Sequence, residues 1–492
     1  MSTNIMALTL TLLFTLSAAG NQNQPERISL QQEGSSSITI LDHFDGNKIR
    51  DILLSDNRRF TFFLSNENGP APTPSRVLTA PEDAALFDVS ELDGDGIREI
   101  IFARRDGIYV LEPAKEGDAN GTAAGQRIVE FESRLTPRRV EKLTFVDFIR
   151  DITGDGTEDI IIADLDRIVV FKNHGGRDFR KWCEIPYEPR AEYHASPLSE
   201  TGGRRETLHI PRLLASGPEE DRRIVLFDGN LLRLLKRGDD GICTEIASRD
   251  LYKTDAKVDA DRDLRMRLHS SVYFDDYDKD GRGDLVICDN SRGELRFFKA
   301  VDTVSSDGHD LCIKTAGNTF HPVFTDLNRD GLKDLILPSA GKIGLFTILK
   351  VFFTSSFDMT FMVFLNRKEP IFRMVPDDSR TLSVPLSFTT SSQGISVASV
   401  MIHSFGGDFN KDGRCDFLLR EEKDRIRVYF GQEDGTFSTD ANLDYRVEIL
   451  QDSFAVTSRA TDLNGDGIAD LYLHQKSAAS ERWDVYITGS GN

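Results

Sequence analysis

The amino-acid sequence predicts an all-β fold, a β-propeller of seven or eight four-stranded blades. Three observations predict it: an acidic nine-residue pattern recurs along the chain, most copies end roughly 50 to 60 residues apart, and short strand patterns flank each copy. That interval accommodates one four-stranded sheet with its turns. Because no long stretch has a convincing helical period, we expect small sheets stacked around an axis rather than one open sheet.

The recurring pattern has an acid at position 1, Asp, Asn or Thr at position 3, Asp at 5, Gly at 6 and an acid at 9, followed by three mostly apolar residues. The intact copies are Glu91–Glu99, Asp151–Asp159, Asp276–Asp284, Asp326–Asp334, Asp408–Asp416 and Asp462–Asp470. After each copy we expect one strand, then a polar turn and a further strand, as at Ile108–Leu111, Ile168–Phe171, Leu295–Phe298 and Ile426–Phe430.

Two further units have lost parts of the pattern. The copy His43–Asp51 has Lys48 where the others have glycine at position 6, so we expect it to lack a metal ion. Another unit keeps the two strand patterns, Ile210–Ala215 and Arg223–Phe227, but has Ser-Gly-Pro-Glu-Glu at 216–220 in place of the loop. Counting both gives eight units. The terminal strands could also combine into one blade and close the ring, so the blade number stays open between seven and eight.

The chemistry of the pattern indicates calcium. Calcium requires six to eight hard oxygen ligands, which side chains at positions 1, 3, 5 and 9 and the carbonyl at position 7 can supply, while Gly at position 6 permits the sharp turn. We therefore expect about six ions. The predicted ligands are Glu91, Asp93, Asp95, Ile97, Glu99, Asp151, Thr153, Asp155, Thr157, Asp159, Asp276, Asp278, Asp280, Arg282, Asp284, Asp326, Asn328, Asp330, Leu332, Asp334, Asp408, Asn410, Asp412, Arg414, Asp416, Asp462, Asn464, Asp466, Ile468 and Asp470.

Two other interpretations of the pattern are less consistent with it. An EF-hand needs a bidentate Glu at position 12, where these copies have only apolar residues in predicted strands. A simple turn needs one or two Asp, Asn or Gly residues, not four ligands and a glycine in one register six times. Without a cation, three or four carboxylates so close together are unfavourable, so we expect calcium to be structural and to stabilise the folded chain.

The net charge of −20 argues against nucleic acid as a partner, because such a surface repels phosphate. The N-terminus predicts export: Ile5–Ala19 is mostly apolar, small residues precede a polar segment, and residues 1–20 resemble a signal peptide. No Lys or Arg precedes the apolar run, which leaves an uncleaved anchor or a misassigned start as alternatives. We expect a linker at 21–37, the propeller at 38–492, and a secreted, periplasmic or cell-surface location.

The propeller contains one long interval, with an insertion at about 345–400. Its Phe-rich run Ile343–Leu365 includes Lys350 and Asp358, which favours two strands over the alternative of a membrane span. We therefore expect no membrane contact beyond the signal segment. The five cysteines contain no CxxC pair, and one or two disulfides are possible without an assignable pairing.

With these loops, the sequence resembles the FG-GAP/VCBS repeat family, which includes integrin α heads and many secreted bacterial proteins. The six intact loops carry the resemblance, together with Phe405–Asn410, Tyr429–Gly431 and Gly435–Phe437. It implies a propeller, usually of seven blades, with calcium in the blade loops. Members bind proteins, carbohydrates or cell surfaces, and some sit beside enzymatic domains, so the resemblance does not fix the function.

We expect a binding or scaffold module rather than an enzyme. The sequence has no HExxH, no GxSxG and no phosphate- or dinucleotide-binding glycine motif. A protein or carbohydrate would bind at a propeller face, first of all near the atypical segments Glu188–Gly217 and Thr347–Val400. The alternative is a propeller enzyme, a lyase or hydrolase acting on polysaccharide, which a cleft lined by unpaired acids away from the loops would favour.

Overall fold

The structure is a computed structural model. It describes residues 24–489 except for 35, 37, 114–119, 123–124, 135, 137–139, 141, 189, 196–203, 210, 218–221, 229–230, 251–269, 291, 302–308, 342–352, 386, 392–393, 399–401, 451–452 and 478. The expected signal peptide at 1–20 lies outside the described residues.

The chain forms eight small antiparallel sheets arranged in a ring, an eight-bladed β-propeller. Blade 1 has strands Ile38–Asp42, Asp51–Asp56, Arg59–Phe63 and Arg76–Thr79, extended by the parallel strand Asn120–Thr122. Blade 2 has Leu86–Ser90, Glu99–Arg104, Gly107–Leu111 and Gln126–Glu130, with Thr144–Phe145 parallel to its first strand. Blade 3 has Ile149–Arg150, Asp159–Ala163, Arg167–Asn173 and Phe179–Pro186, and blade 4 has Arg212–Ser216, Arg223–Asp228, Leu231–Arg237 and Cys243–Asp250.

The second half of the ring repeats this order. Blade 5 has Ser270–Asp275, Asp284–Asp289, Glu294–Phe298 and Leu311–Lys314. Blade 6 begins with Asn318–Thr319 and Val323–Thr325 and continues with Asp334–Ala340, Ser356–Phe364 and Asp378–Pro385. Blade 7 has His403–Gly407, Asp416–Arg420, Arg425–Tyr429 and Leu443–Arg446, and blade 8 has Ser453–Thr461, Asp470–Ser477, Glu481–Ile487 and Glu26–Ser29. Within the described part of the chain, three two-stranded hairpins lie outside the blades: Ser65–Asn66 with Gly69–Pro70, Arg190–Ala195 with Arg204–His209, and Ser387–Ser391 with Gly394–Ala398.

Blade 8 joins the two ends of the described chain. Glu26–Ser29 pairs antiparallel with Glu481–Ile487, so that Glu26 lies opposite Ile487. Asp484 is buried at this junction and accepts hydrogen bonds from Arg27 Nε at 3.0 Å and from Ser29 Oγ at 2.7 Å. The terminal strands thus combine in one blade and close the ring, which was one of the alternatives that the sequence left open, and the blade number is eight. Glu26–Ser29 lies within 21–37, the segment expected as a linker, because a four-residue strand is too short to produce a recognisable pattern.

The hydrophobic core consists of layers between neighbouring blades. Each buried cluster combines side chains from two adjacent blades, and the clusters continue around the ring from the interface of blades 1 and 2 to that of blades 8 and 1. Phe60 of blade 1, for example, packs edge-to-face on Phe87 of blade 2 with ring centroids 5.0 Å apart. This sheet-on-sheet packing uses the large number of phenylalanines.

The long interval supplies the outer half of blade 6. Ser356–Phe364 pairs with Asp334–Ala340 on one side and Asp378–Pro385 on the other, which confirms the strand expectation for the second part of the Ile343–Leu365 run. The first part, residues 342–352, lies outside the described residues. Among the residues that the structure describes, no helix is long and apolar enough to cross a bilayer.

Candidate metal-binding loops

The six intact loops occupy equivalent places in the fold, between the first and second strands of blades 2, 3, 5, 6, 7 and 8. In every one, and in the degraded copy of blade 1, the acid at position 9 is the first residue of the second strand: Asp51, Glu99, Asp159, Asp284, Asp334, Asp416 and Asp470. Because each loop joins the same two strands of its blade, all seven lie on one face of the ring, which we call the loop face. Blade 4 joins Arg212–Ser216 to Arg223–Asp228 as a hairpin, as the sequence predicts.

The backbone explains glycine at position 6. The φ angles there lie between +81° and +85° in all six loops, a region that residues with a Cβ seldom adopt. In the blade 1 copy, Lys48 adopts φ +68°, so this loop keeps the turn without the glycine. Position 4 is also left-handed: Gly94, Gly154 and Gly465 have positive φ, and so do Lys279, Arg329 and Lys411 at +55° to +61°.

Within each loop, the side chains at positions 1, 3 and 5 turn inward and bind the backbone. Asp462 accepts hydrogen bonds from the N–H groups of Asn464 at 3.1 Å, Gly465 at 2.7 Å and Gly467 at 2.8 Å. Asp466 accepts from the N–H of Ile468 at 2.7 Å and from Asn464 Nδ2 at 3.1 Å. These bonds fix the positions of the oxygen atoms, which would reduce the ordering cost of binding a cation.

The same arrangement recurs in the other intact loops. The position 1 carboxylate accepts the position 6 N–H in the loops of Asp151, Asp276, Asp326 and Asp408. In all six loops, the backbone N–H of position 7 donates to the carboxylate of position 5. The position 7 residues therefore contact the loop acids through their backbone, and they are Ile97, Thr157, Arg282, Leu332, Arg414 and Ile468.

Among the described residues, carboxylate oxygens converge within two of the six loops. Carboxylate oxygens of Glu91, Asp93 and Asp95 lie within 4.8 Å of one another, and so do those of Asp276, Asp278 and Asp284. Asp326 Oδ1 is buried and has no hydrogen-bond partner among the described residues. A donor set made only of oxygen, with one buried oxygen unpaired, fits a hard cation such as Ca²⁺.

The acid at position 9 has a second role, which the sequence did not predict. Asp470 is fully buried and accepts the N–H of Leu463 in the loop at 2.8 Å and the N–H of Thr488, after the third strand, also at 2.8 Å. It therefore ties the loop to the end of strand three. Asp159, Asp284, Asp334 and Asp416 make the same two-sided connection.

The blade 1 copy retains this connection although its loop has lost the full ligand pattern. Asp51 accepts the N–H of Phe44 at 2.9 Å and that of Ser65 at 2.8 Å. Burial raises the pKa of Asp51 to about 6 and that of Asp470 to about 7, in spite of the backbone hydrogen bonds that each carboxylate accepts. The position 9 carboxylate is therefore a structural element of the blade as well as a candidate ligand.

In four of the loops a basic side chain pairs with a loop acid, which sequence reasoning missed; in the blade 7 loop, Arg414 lies 3.4 Å from Asp412. Arg177, only 12% exposed, reaches from blade 3 into the Glu91–Glu99 loop, where it pairs with Asp93 at 2.8 Å and also with Glu99 and Glu112. Lys172 pairs with Asp155 at 2.7 Å, and Lys299 pairs with Asp278 at 2.8 Å. The hydrogen bond to Asp278 raises the pKa of Lys299, and these cations neutralise part of the acidic charge.

Neighbouring loops also contact each other. From position 4, Arg329 donates to the carbonyl of Asp412 in the next loop at 3.1 Å, and Lys411 donates to the carbonyl of Asp466 at 2.6 Å. The N–H of Ala469 donates to the carbonyl of Asp408 at 2.7 Å. The loops of blades 6, 7 and 8 thus form a connected row. Arg329 and Lys411 make these contacts with their side chains, which accounts for their presence at a left-handed position where glycine would be less strained.

A polar depression of about 500 Å³ lies away from the loops, on blade 2. It is lined by Asp83, Arg105, Asp106, Arg127, Glu130 and Glu132. Its acids have basic or hydroxyl partners: Asp83 pairs with Arg104, Glu130 with Arg127 at 3.6 Å, Glu132 with Arg105 at 3.9 Å, and Asp106 accepts from Tyr109 at 2.7 Å. This depression therefore does not have the unpaired acids that would favour a polysaccharide enzyme.

Residues 408–473 match the family model of the FG-GAP-like repeat. This span includes the loops of blades 7 and 8, and the match, together with the eight-bladed ring, confirms the resemblance that the repeats indicated. No curated protein matches the sequence. Among solved structures, the chain is similar to a lectin of Agrocybe aegerita studied for specific recognition of non-reducing terminal N-acetylglucosamine, at 15% identity over 84% of this chain and 93% of that chain, with a TM-score of 0.43.

Proposed function

We propose that this protein is a non-catalytic binding module, with about six structural calcium ions in its blade loops and a protein or carbohydrate ligand at a propeller face. We further propose that it works outside the cytoplasm, as a secreted, periplasmic or cell-surface protein. The expectation of export rests on the sequence of residues 1–20.

The convergence of carboxylate oxygens in the loops of blades 2 and 5 carries the calcium proposal, and the shared pattern extends it to the other four loops. Side chains at positions 1, 3, 5 and 9 and the carbonyl at position 7 would hold the ion. Calcium would supply the positive charge that the clustered carboxylates lack and would tie the first strand of a blade to its second. Asp326 Oδ1, buried without a partner among the described residues, supports an ion in that loop, because an unpaired buried oxygen is costly.

The loops should differ in calcium affinity. In the Glu91–Glu99 loop, an ion competes with the guanidinium of Arg177, which already contacts Asp93 and Glu99. In the Asp462–Asp470 loop, position 3 is the uncharged Asn464 instead of an Asp, and its Nδ2 donates a hydrogen bond that holds Asp466 in place. We therefore place the tighter sites in blades 6, 7 and 8, where the loops also contact each other, and the weakest site in blade 2.

The ligand would bind on the loop face. The connection between strands three and four of a blade lies on the same face as the connection between strands one and two. On blade 6 this connection exposes Met374 and Val375, each 70% accessible, next to the row of connected loops. A rigid surface with exposed apolar side chains is suited to recognition, since loops on a fixed scaffold commonly carry binding residues.

Calcium titration of the metal-free full chain tests the metal part of the proposal. Isothermal calorimetry, bound-metal analysis and thermal unfolding should give about six ions and a large rise in melting temperature. Asp412→Ala, at position 5 of the blade 7 loop, should remove about one ion. The matched control Asp434→Ala lies in a hairpin outside the loops and should remove none. If the wild-type chain takes up no calcium, the clusters are only turns and the proposal fails.

Ligand binding is tested separately on glycan arrays and with candidate extracellular proteins, in calcium and in chelator. Binding that requires calcium and weakens in Met374→Glu supports the loop face. Release of oligosaccharide products from a polysaccharide would instead support the enzyme alternative and overturn the non-catalytic assignment.

A further inference from the structure

The outer strands of blades 3 and 4 are joined directly to each other. Glu184 and Ile242 form a parallel β-bridge, and the N–H of Glu184 donates to the carbonyl of Gly241 at 2.9 Å. Arg237 of blade 4 donates from Nε to the carbonyl of Trp182 at 2.8 Å and lies over the Trp182 ring, 5.8 Å from its centre. These contacts fix the register of the two blade edges.

Cys183 and Cys243 flank this bridge, one on each blade. Their residues are 0% and 1% exposed and belong to the same buried cluster, so both side chains point to the same inner side of the bridge. The nearby Cys243 side chain is the main reason why the pKa of Cys183 is raised. Both cysteines are reduced in the structure.

The other three cysteines lie in different surroundings. Cys288 has Asn290 and Thr319 as polar neighbours, and Cys415 has Thr325. Cys312 is partly exposed on the outer strand of blade 5. Among the five cysteines, Cys183 and Cys243 are thus the pair that the fold places in one buried cluster, on either side of a bridge between two blades, which the spacing of cysteines in the sequence could not show.

We propose that Cys183 and Cys243 close as a disulfide that cross-links blades 3 and 4. The two thiols release two protons and two electrons as one S–S bond forms, and a disulfide oxidant such as glutathione disulfide accepts both electrons, its own S–S bond breaking into two thiols. Because both sulfur atoms are buried in the folded ring, the exchange takes place during folding, before the blade edges pack.

The position of this cross-link has a physical rationale. The connection between the first two strands of blade 4 lacks the nine-residue ligand pattern, so the sequence predicts no metal ion to hold those two strands together. A disulfide between residues 183 and 243 closes a segment of roughly 60 residues, which restricts the unfolded chain and stabilises the native ring. This stabilisation does not depend on calcium.

The test uses the full chain refolded in a glutathione redox buffer, with free thiols counted and proteolytic peptides mapped by mass spectrometry. We expect wild type to lose two of its five thiols and to give one cross-linked peptide joining Cys183 to Cys243. Cys183→Ser and Cys243→Ser should lose none, whereas the control Cys312→Ser should still lose two. Peptide mapping of wild type alone decides the matter if a variant does not fold.

Melting temperature gives a second readout. Reduction of the oxidised wild-type protein should lower it by several degrees, equally in calcium and in chelator, and should leave that of Cys183→Ser unchanged. Five free thiols in a folded protein after oxidative refolding, or a cross-link between other cysteines, would overturn the proposal. Neither result would affect the calcium assignment, because the two rest on different residues.

Discussion

Substitution of Asp51 isolates the structural role of the position 9 carboxylate from metal binding. Asp51 is fully buried and accepts two backbone hydrogen bonds, from Phe44 at 2.9 Å and from Ser65 at 2.8 Å. Its loop has Lys48 at position 6 and is expected to hold no ion. In Asp51→Ala, both N–H groups lose their acceptor inside the blade, whether or not calcium is present.

The magnitude follows from the two unsatisfied groups. A buried donor without an acceptor costs about 1 to 3 kcal/mol, so Asp51→Ala should lower the free energy of unfolding by about 4 kcal/mol. The entropy of unfolding is about 2.1 cal/mol/K per residue, or roughly 1 kcal/mol/K for 492 residues. The expected fall in melting temperature is therefore about 4 °C.

Differential scanning calorimetry in calcium and in chelator measures this fall. Asp45→Ala is the control, because Asp45 belongs to the same loop, is partly exposed and, among the residues that the structure describes, accepts hydrogen bonds from Asn47 alone. Asp470→Ala is the comparison, because it removes the equivalent pair of hydrogen bonds in a loop expected to bind calcium. Its fall in melting temperature relative to wild type should therefore be larger in calcium than in chelator. A melting temperature of Asp51→Ala within 1 °C of wild type would refute the reasoning.

Three more predictions concern charge. Arg177→Gln should tighten calcium binding at the Glu91–Glu99 loop about tenfold or more, measured by calorimetry; unchanged affinity would mean that the guanidinium does not compete. Lys411→Met loses the hydrogen bond to the Asp466 carbonyl and should lower the free energy of unfolding in urea by about 1 kcal/mol. Lys411→Gly should lower it by less, because glycine tolerates the positive φ at this position. Burial raises the pKa of Asp88 to about 6, above its value in the unfolded chain, so the wild-type protein loses stability as the pH rises towards 6. Asp88→Asn has no carboxyl group to titrate, so its free energy of unfolding should gain up to about 3 kcal/mol relative to wild type between pH 4 and 7. Parallel pH profiles of the two proteins would contradict this.

The blades and the loop positions could be predicted from the sequence because they depend on local spacing. Gly413 occupies a left-handed position that a nine-residue pattern reveals without any tertiary information. The direct hairpin of blade 4 could be recognised for the same reason, since its two strands pair across a short gap. Glu26–Ser29 could not, because four residues carry too little pattern and their partner strand lies at the other end of the chain.

The contacts that modify the loops depend on long-range packing. Arg177 enters the acidic loop of blade 2 from a turn in blade 3, and its partner Glu99 is 78 residues away. Asp416 accepts the N–H of Gly431, which reaches it only because the third strand ends beside the start of the second. No spacing in the sequence marks either contact. The ligand pattern is local, whereas the features expected to set the affinity of each site come from the assembled ring.

The degraded loop of blade 1 also bears on how calcium and folding are related. Asp51 makes the same two connections as Asp470, although only the loop of Asp470 retains the full ligand pattern. If the blade 1 loop holds no ion, as its sequence predicts, a blade can form from its backbone hydrogen bonds and inter-blade packing without a metal. We accordingly expect the metal-free protein to remain a folded propeller of lower stability. Calcium would then act mainly on the loop face, where it relieves repulsion between carboxylates and holds the row of connected loops rigid for a ligand.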